Sequence, residues 1–184
     1  MTKQCTSPAF PPDALAKARD ITLLALDVDG VLTDGALYFG ACGEQLKRFH
    51  IHDGLGLKLL RDNGINVALI TGRRSAMVEK RAQELGITHV IQGREDKLTA
   101  LRSLVGQLGQ SLDTTCYIGD DLPDLAAIQA AAFGVTVANG HHSVRASADW
   151  QTQRDGGAGA VRELCDLILV ANDYYDSTLN KFGG

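Results

Sequence analysis

The sequence predicts an α/β fold: a Rossmann-like three-layer sandwich with a central parallel sheet and a β-hairpin inserted after the first strand. Three observations predict it. Short apolar runs recur along the chain, helical stretches separate them, and acidic residues gather where apolar runs end. Strands buried on both faces read as continuous apolar runs. Their alternation with helices calls for right-handed crossovers and helices on both faces of the sheet.

The first run, ITLLALDVD (21–29), closes on Asp27 and Asp29. Residues 35–52 then break the pattern: ALYFG and EQLKRFHIH are two β-prone segments joined around Gly40 to Gly43, as in a hairpin. Further strands are expected over INVALIT (65–71), THVIQG (88–93), TTCYIGD (114–120) and FGVTVAN (133–139). Helices are expected over 54–64, 75–86, 96–109 and 121–131, and over VRELCDLILVAN after the glycine loop DGGAGA (155–160). Gly64, Gly86 and Gly109 stand where left-handed C-caps end helices. The chain thus divides into a leader (1–20), one domain (21–171) and a polar tail (172–184) expected to be mobile.

A chain of 184 residues suits one domain, and its 45% hydrophobic and 22% charged residues are ordinary for a globular protein. A formal net charge of −4 gives no electrostatic reason to expect nucleic acid or an anionic membrane as partner. No apolar run approaches the roughly 20 residues that span a bilayer. The leader, interrupted by Pro8, Pro11 and Pro12, does not read as a secretory signal. The four cysteines (Cys5, Cys42, Cys116, Cys165) form no CxxC pair, and the last two sit in apolar segments as core thiols. Neither a zinc site nor a disulfide framework is suggested, so a reducing cytoplasm is expected.

In a parallel α/β sheet, ligands bind beyond the carboxyl ends of the strands. Here those ends carry Asp27 and Asp29, then Thr71 with Gly72 and Arg73, then Asp120 and Asp121, with Asp124 three residues on; Lys97 begins an intervening helix. Two carboxylates about 4 Å apart repel by roughly 4 kcal/mol at an effective dielectric of 20. Such a cluster takes up protons or recruits a cation. A hard, oxygen-seeking ion such as Mg²⁺ suits it. Asp124 reads equally as a first-turn acid favoured by the helix dipole. Lys97 gains nothing from that dipole, which argues against a merely solvated lysine.

DVDGVLTDG, ITGR, Lys97 and GDDLPD, in that order, resemble the four motifs of the haloacid dehalogenase superfamily of phosphatases over roughly residues 22–171. The hairpin, FHIHDGLGLK and GGAGAVRELCDLIL are similar to a capless, tetrameric branch of it. The resemblance implies that Asp27 is the nucleophile and forms an aspartyl-phosphate. Asp29 is implied as general acid and then base. Mg²⁺ would be held by Asp27, the backbone carbonyl of Asp29 and Asp120, with Asp121 orienting a metal-bound water. Thr71 would donate to phosphoryl oxygens, and Lys97 would neutralise developing charge. Beside Gly72, Arg73 and Arg81 are the expected substrate-binding residues, since guanidinium engages a carboxylate bidentately. Arg81, mid-helix, reads equally as solvated.

No cap domain fits. The interval after Asp27 holds a hairpin, helix and strand, and that from Thr71 to Lys97 only a helix and a strand. Substrate choice then falls to neighbouring subunits of a homotetramer built on the hairpins, with the tail able to close over an adjacent site. The loop 156–159 reads as a hinge for that closure or as an ordinary surface turn. His50 and His52, alternating along the expected hairpin strand, face either the site or the surface and core. The implied substrate is a phosphorylated sugar acid: 3-deoxy-D-manno-octulosonate 8-phosphate, in a cytoplasmic step toward lipopolysaccharide, or an acylneuraminate 9-phosphate. Phosphoserine is a more distant rival. A non-catalytic oligomerisation module of the same fold is the alternative class, and Asp27, Asp29, Thr71, Lys97 and Asp120 together argue against it.

Overall fold

Leu23 and Ala25 face one way along the first strand and Leu24 and Leu26 the other, and all four are fully buried. That requires a layer of helices on each side. The structure, a computed structural model, describes residues 7–183; Cys5 and the start of the leader lie outside them. In chain order the elements are α1 (Pro12–Ala18), β1 (Leu23–Leu26), β2 (Tyr38–Gly40), β3 (Gly43–Leu46), α2 (Ile51–Asp62), β4 (Asn66–Thr71), α3 (Ala76–Leu85) and β5 (His89–Gln92). Then follow α4 (Lys97–Gln107), β6 (Thr115–Gly119), α5 (Leu125–Ala130), β7 (Phe133–Thr136), α6 (His142–Arg145), β8 (Trp150–Gln151), α7 (Ala160–Ala171) and α8 (Tyr175–Gly183).

Six strands form one parallel sheet in the order β5-β4-β1-β6-β7-β8, and β2 and β3 pair separately as an antiparallel hairpin. Leu26 is in register with Leu69 of β4 and Ile118 of β6, so the carboxyl ends of the three central strands finish at one edge. One core layer packs α1, α2, α3 and α7 on Leu24, Leu26, Val67, Leu69, Cys116 and Ile118. The other packs α4 and α5 on Leu23, Ala25, Ala68, Ile70 and Tyr117. Cys116 and Cys165 are free thiols buried in the first of these.

The expected strands and long helices form with shifted ends. Gly86 caps α3 in the left-handed conformation at φ 69°, where a side chain would be strained. Gly64 and Gly109 also have positive φ, each one residue beyond the cap.

Four local readings change. The hairpin is shorter than residues 35–52: β3 ends at Leu46, Phe49 bridges back to Thr33, and the chain turns into α2 at Ile51. His50 is the N-cap of that helix, its ring accepting from the His52 N–H at 3.2 Å, so neither histidine lies on a hairpin strand. The segment expected to be a mobile tail forms α8, whose Thr178 is buried and accepts from the Asn63 side chain. The loop 156–159 is no surface turn, because Gly156 and Gly157 are buried against the loop that follows β1.

Candidate active site

The edge where β1, β4 and β6 end opens into a pocket of about 300 Å³. It is lined by Asp27, Asp29, Thr71, Gly72, Arg73, Glu95, Lys97, Asp120, Asp121, Pro123 and Asp124. Every expected site residue but Arg81 is among them. A larger hollow of about 840 Å³ lies between the leader, β8 and α7, and none of the sheet-end acids reaches it.

Lys97, at the first position of α4, is only 4% exposed. Its Nζ lies 2.8 Å from Asp27 Oδ2 and 2.7 Å from Asp124 Oδ1. Burial pulls an ammonium towards its neutral form, but the two carboxylates outweigh burial and hold Lys97 above its ordinary value. It is therefore a fixed cation.

Asp124 is fully buried and gathers four donors. Oδ1 accepts from Lys97 and from the Tyr117 hydroxyl, both at 2.7 Å; Oδ2 accepts from the N–H groups of Asp120 and Asp121 at 3.3 and 3.4 Å. Asp121, as N-cap, accepts from the Leu122 N–H at 2.8 Å and completes a capping box with Asp124 across a short 3-10 turn, Leu122–Asp124. The helix-cap reading of Asp124 is thus half of its role; the other half is to orient Lys97.

Asp27 is 6% exposed, and its N–H donates to the Ile118 carbonyl at 3.0 Å, which fixes the turn. While Oδ2 pairs with Lys97, Oδ1 is buried without a hydrogen-bond partner. Burial, with Asp124 adding to it and Lys97 opposing, pushes the Asp27 carboxyl up to about 7. Asp120 is likewise raised to about 7, chiefly by burial and then by Asp124. Oxygens of Asp27, Asp120 and Asp124 lie within 4.8 Å of one another. The four donors on Asp124 occupy its oxygens, so the orphaned Asp27 Oδ1 and Asp120 are the groups that fit a hard divalent cation.

Glycines let these groups meet. A Cβ on Gly30 would fall 2.1 Å from Asp120 Oδ2, and Gly30 has φ +90°. Thr71, 2% exposed, accepts from the Arg73 N–H at 3.3 Å and closes the floor beside Gly72.

Two hairpin residues not anticipated from sequence enter the same constellation. Lys47 Nζ pairs with Asp29 Oδ1 and with Glu44 Oε1 at 3.0 Å. Arg73 approaches the other oxygen of Asp29, 3.9 Å from Oδ2, and shares Glu44 Oε1 with Lys47 at 3.6 Å. The only hint was the (i, i+3) Glu44/Lys47 pair on a β-prone segment, where surface pairing is the ordinary reading. Arg81 lies apart from these groups. It pairs with Glu84 at 2.9 Å and lies over the Phe49 ring, outside the pocket of its own chain, because Gly54 on α2 leaves room for its guanidinium there.

Comparison with known proteins agrees with this geometry. Residues 90–164 match the family described as haloacid dehalogenase-like hydrolase. The 3-deoxy-D-manno-octulosonate 8-phosphate phosphatase of Escherichia coli (strain K12) is 45% identical over 164 residues, 89% of this chain and 87% of that one. The Yersinia pestis enzyme of the same name is 46% identical over 161 residues, 88% and 86% of the two chains. Among solved structures, that phosphatase from Moraxella catarrhalis, in complex with a magnesium ion, a phosphate ion and a KDO molecule, superposes with a TM-score of 0.92. It is 50% identical and covers 94% of this chain and 99% of its own. The cobalt-bound Haemophilus influenzae phosphatase gives 0.86 at 40% identity, covering 91% and 96%. The chain belongs to the 3-deoxy-D-manno-octulosonate 8-phosphate phosphatases, a family of haloacid dehalogenase-like hydrolases.

Proposed function

We propose that this protein hydrolyses 3-deoxy-D-manno-octulosonate 8-phosphate to the free sugar acid and inorganic phosphate, with Mg²⁺ as cofactor, in lipopolysaccharide precursor synthesis. One observation carries the reading: a buried aspartate with one oxygen on a fixed lysine and the other unpaired, beside a second raised aspartate. That arrangement suits a nucleophile that shares a cation.

In the first step an Asp27 carboxylate oxygen attacks phosphorus, and the bond from phosphorus to the sugar oxygen breaks. Asp29 delivers its proton to the departing oxygen. In the second, water attacks the aspartyl-phosphate, its proton passes to Asp29, and Asp27 is freed with release of phosphate. Lys97 offsets the charge on Asp27 and the transferring group, and the Thr71 hydroxyl donates to phosphoryl oxygens. Mg²⁺, when bound by Asp27, Asp120 and the Asp29 carbonyl, supplies Lewis-acid stabilisation of phosphoryl charge. Asp121 would orient a water on that ion. Arg73 and the Gly72 backbone bind the sugar acid. Arg81 would have to act outside its own chain's pocket.

The test is phosphate release from a panel of sugar-acid phosphates with Mg²⁺ and with chelator. Activity should vanish with chelator and fall at least about a thousand-fold in Asp27→Asn. Chelator-insensitive turnover would refute the mechanism. Preference for an acylneuraminate 9-phosphate would keep the chemistry and change the substrate. No release from any substrate would favour a non-catalytic module.

A homotetramer built on the hairpin is part of this reading. Phe39 and Leu46 are 66% and 64% exposed on it, and Ile51 at the start of α2 is 76% exposed. Side chains of that size cluster on a surface where a partner covers them. The assembly would supply the enclosure that a cap domain gives elsewhere. Among the described residues no helix is long and apolar enough to cross a membrane. Together with free rather than paired cysteines, this supports a cytoplasmic location.

A further inference from the structure

We infer that Lys47, the residue after β3, is a positioning residue for proton transfer: it ties down one oxygen of Asp29 and leaves the other without a bond. The inference rests on the acid/base reading of Asp29 given above. The Lys47 side chain is 1% exposed, although the hairpin that carries it is largely exposed. A buried ammonium needs partners for its donors, and Asp29 Oδ1 and Glu44 Oε1 supply them. Asp29 Oδ2 makes no hydrogen bond; Arg73 Nε stands 3.9 Å from it, beyond hydrogen-bond reach.

The carboxyl group of Asp29 is therefore asymmetric. Oδ1 is held by an ammonium that carries only protons to donate, so it cannot share the mobile proton. Oδ2, buried and without a hydrogen bond, is the oxygen left to take the proton, which it would exchange with the leaving oxygen or the attacking water once substrate enters beside it. Glu44 keeps Lys47 in place and touches Arg73 at 3.6 Å, linking the hairpin to the expected sugar-acid contact. The other cation of the site, Lys97, bonds Asp27 and Asp124 and cannot substitute for Lys47 at Asp29.

A positioning role in proton transfer makes a signature that a structural role does not. Departure of a sugar alkoxide needs the proton; departure of 4-nitrophenolate needs little help. The experiment measures kcat/KM, which reports the first step, for 3-deoxy-D-manno-octulosonate 8-phosphate and for 4-nitrophenyl phosphate, in the wild type, Lys47→Met and Lys47→Arg. Solution mass and melting temperature are recorded for each. Lys47→Met should lose roughly a hundred-fold on the sugar phosphate and under about three-fold on the aryl phosphate. Lys47→Arg retains the charge, and so the fold, and should show the same selective loss at roughly ten-fold. Equal losses on both substrates, or no loss, in whichever of the two variants folds would overturn the inference. Asp29→Ala separates the two readings. If it shows no leaving-group-dependent loss, the acid/base role of Asp29 fails; if it does and the Lys47 variants do not, only the role of Lys47 fails.

Discussion

At Asp27 and Asp120 the same burial that orders the site raises both carboxyl groups to about 7. A cation binds their ionised forms, so protons and Mg²⁺ compete. With folded-state values near 7, both groups are mostly protonated at pH 6 and mostly ionised at pH 8. Affinity for Mg²⁺ should therefore rise with pH, by about ten-fold across that range for one displaced proton and about a hundred-fold for two. Calorimetric titration in buffers of different ionisation enthalpy reads both the affinity and the proton release. A flat profile would mean that other groups bind the ion. These two acids were legible in the sequence because an acid ending an apolar strand has few other reasons to be there. Lys47 was not. Its partner Asp29 lies 18 positions back, and only the closing of the hairpin joins them.

Among the elements, the loop before α7 has the least tolerance for change. The Gly157 N–H donates to the Val31 carbonyl at 2.9 Å, and that of Gly156 donates to the Asn139 side chain at 2.9 Å. A Cβ on Gly156 would stand 1.7 Å from the Gly30 carbonyl oxygen, a backbone atom that cannot swing aside. Gly30 in turn is the residue whose missing Cβ admits Asp120. Gly156→Ala should push the loop after β1 outward and separate Asp27 and Asp29 from Asp120. A displacement near 1 Å costs on the order of a hundred-fold in rate. Steady-state kinetics beside circular dichroism check it: kcat should fall at least about ten-fold with helix content unchanged, and wild-type kcat would refute the coupling. The strands of the central sheet were legible because burial on both faces leaves an unbroken apolar run. The two-residue β8 gives too short a pattern to read, and α1 and α8 are short, mixed-polarity segments whose helicity comes from docking, as with Asn63 and Thr178. The entry to α2 was misread because FHIH alternates like a strand, whereas His50 caps a helix.

On the scale of the whole molecule, a chain with net charge −4 must bind a substrate that carries both a phosphate and a carboxylate. It does so by concentrating Lys97 and Arg73 at one sheet edge, which is a local rather than a global field. That edge is open: Arg73 is 45% exposed, and among the described residues no second domain covers the pocket. In the proposed homotetramer, enclosure comes from the neighbouring subunits. Burying a Phe or Leu side chain stabilises by about 1.5–3 kcal/mol, so Phe39 and Leu46, repeated around the proposed assembly, would contribute to holding it together. Phe39→Ser combined with Leu46→Ser should lower the mass measured by light scattering to that of a smaller species. Both side chains are exposed within the chain, so melting of the isolated fold should change little. Turnover of 4-nitrophenyl phosphate, which needs only the groups of one pocket, should stay within about three-fold. KM for the sugar-acid phosphate should rise roughly ten-fold or more, because the enclosing neighbour is lost. An unchanged mass would show that the hairpin is not the interface. A changed mass with unchanged KM would show that one chain selects its substrate unaided.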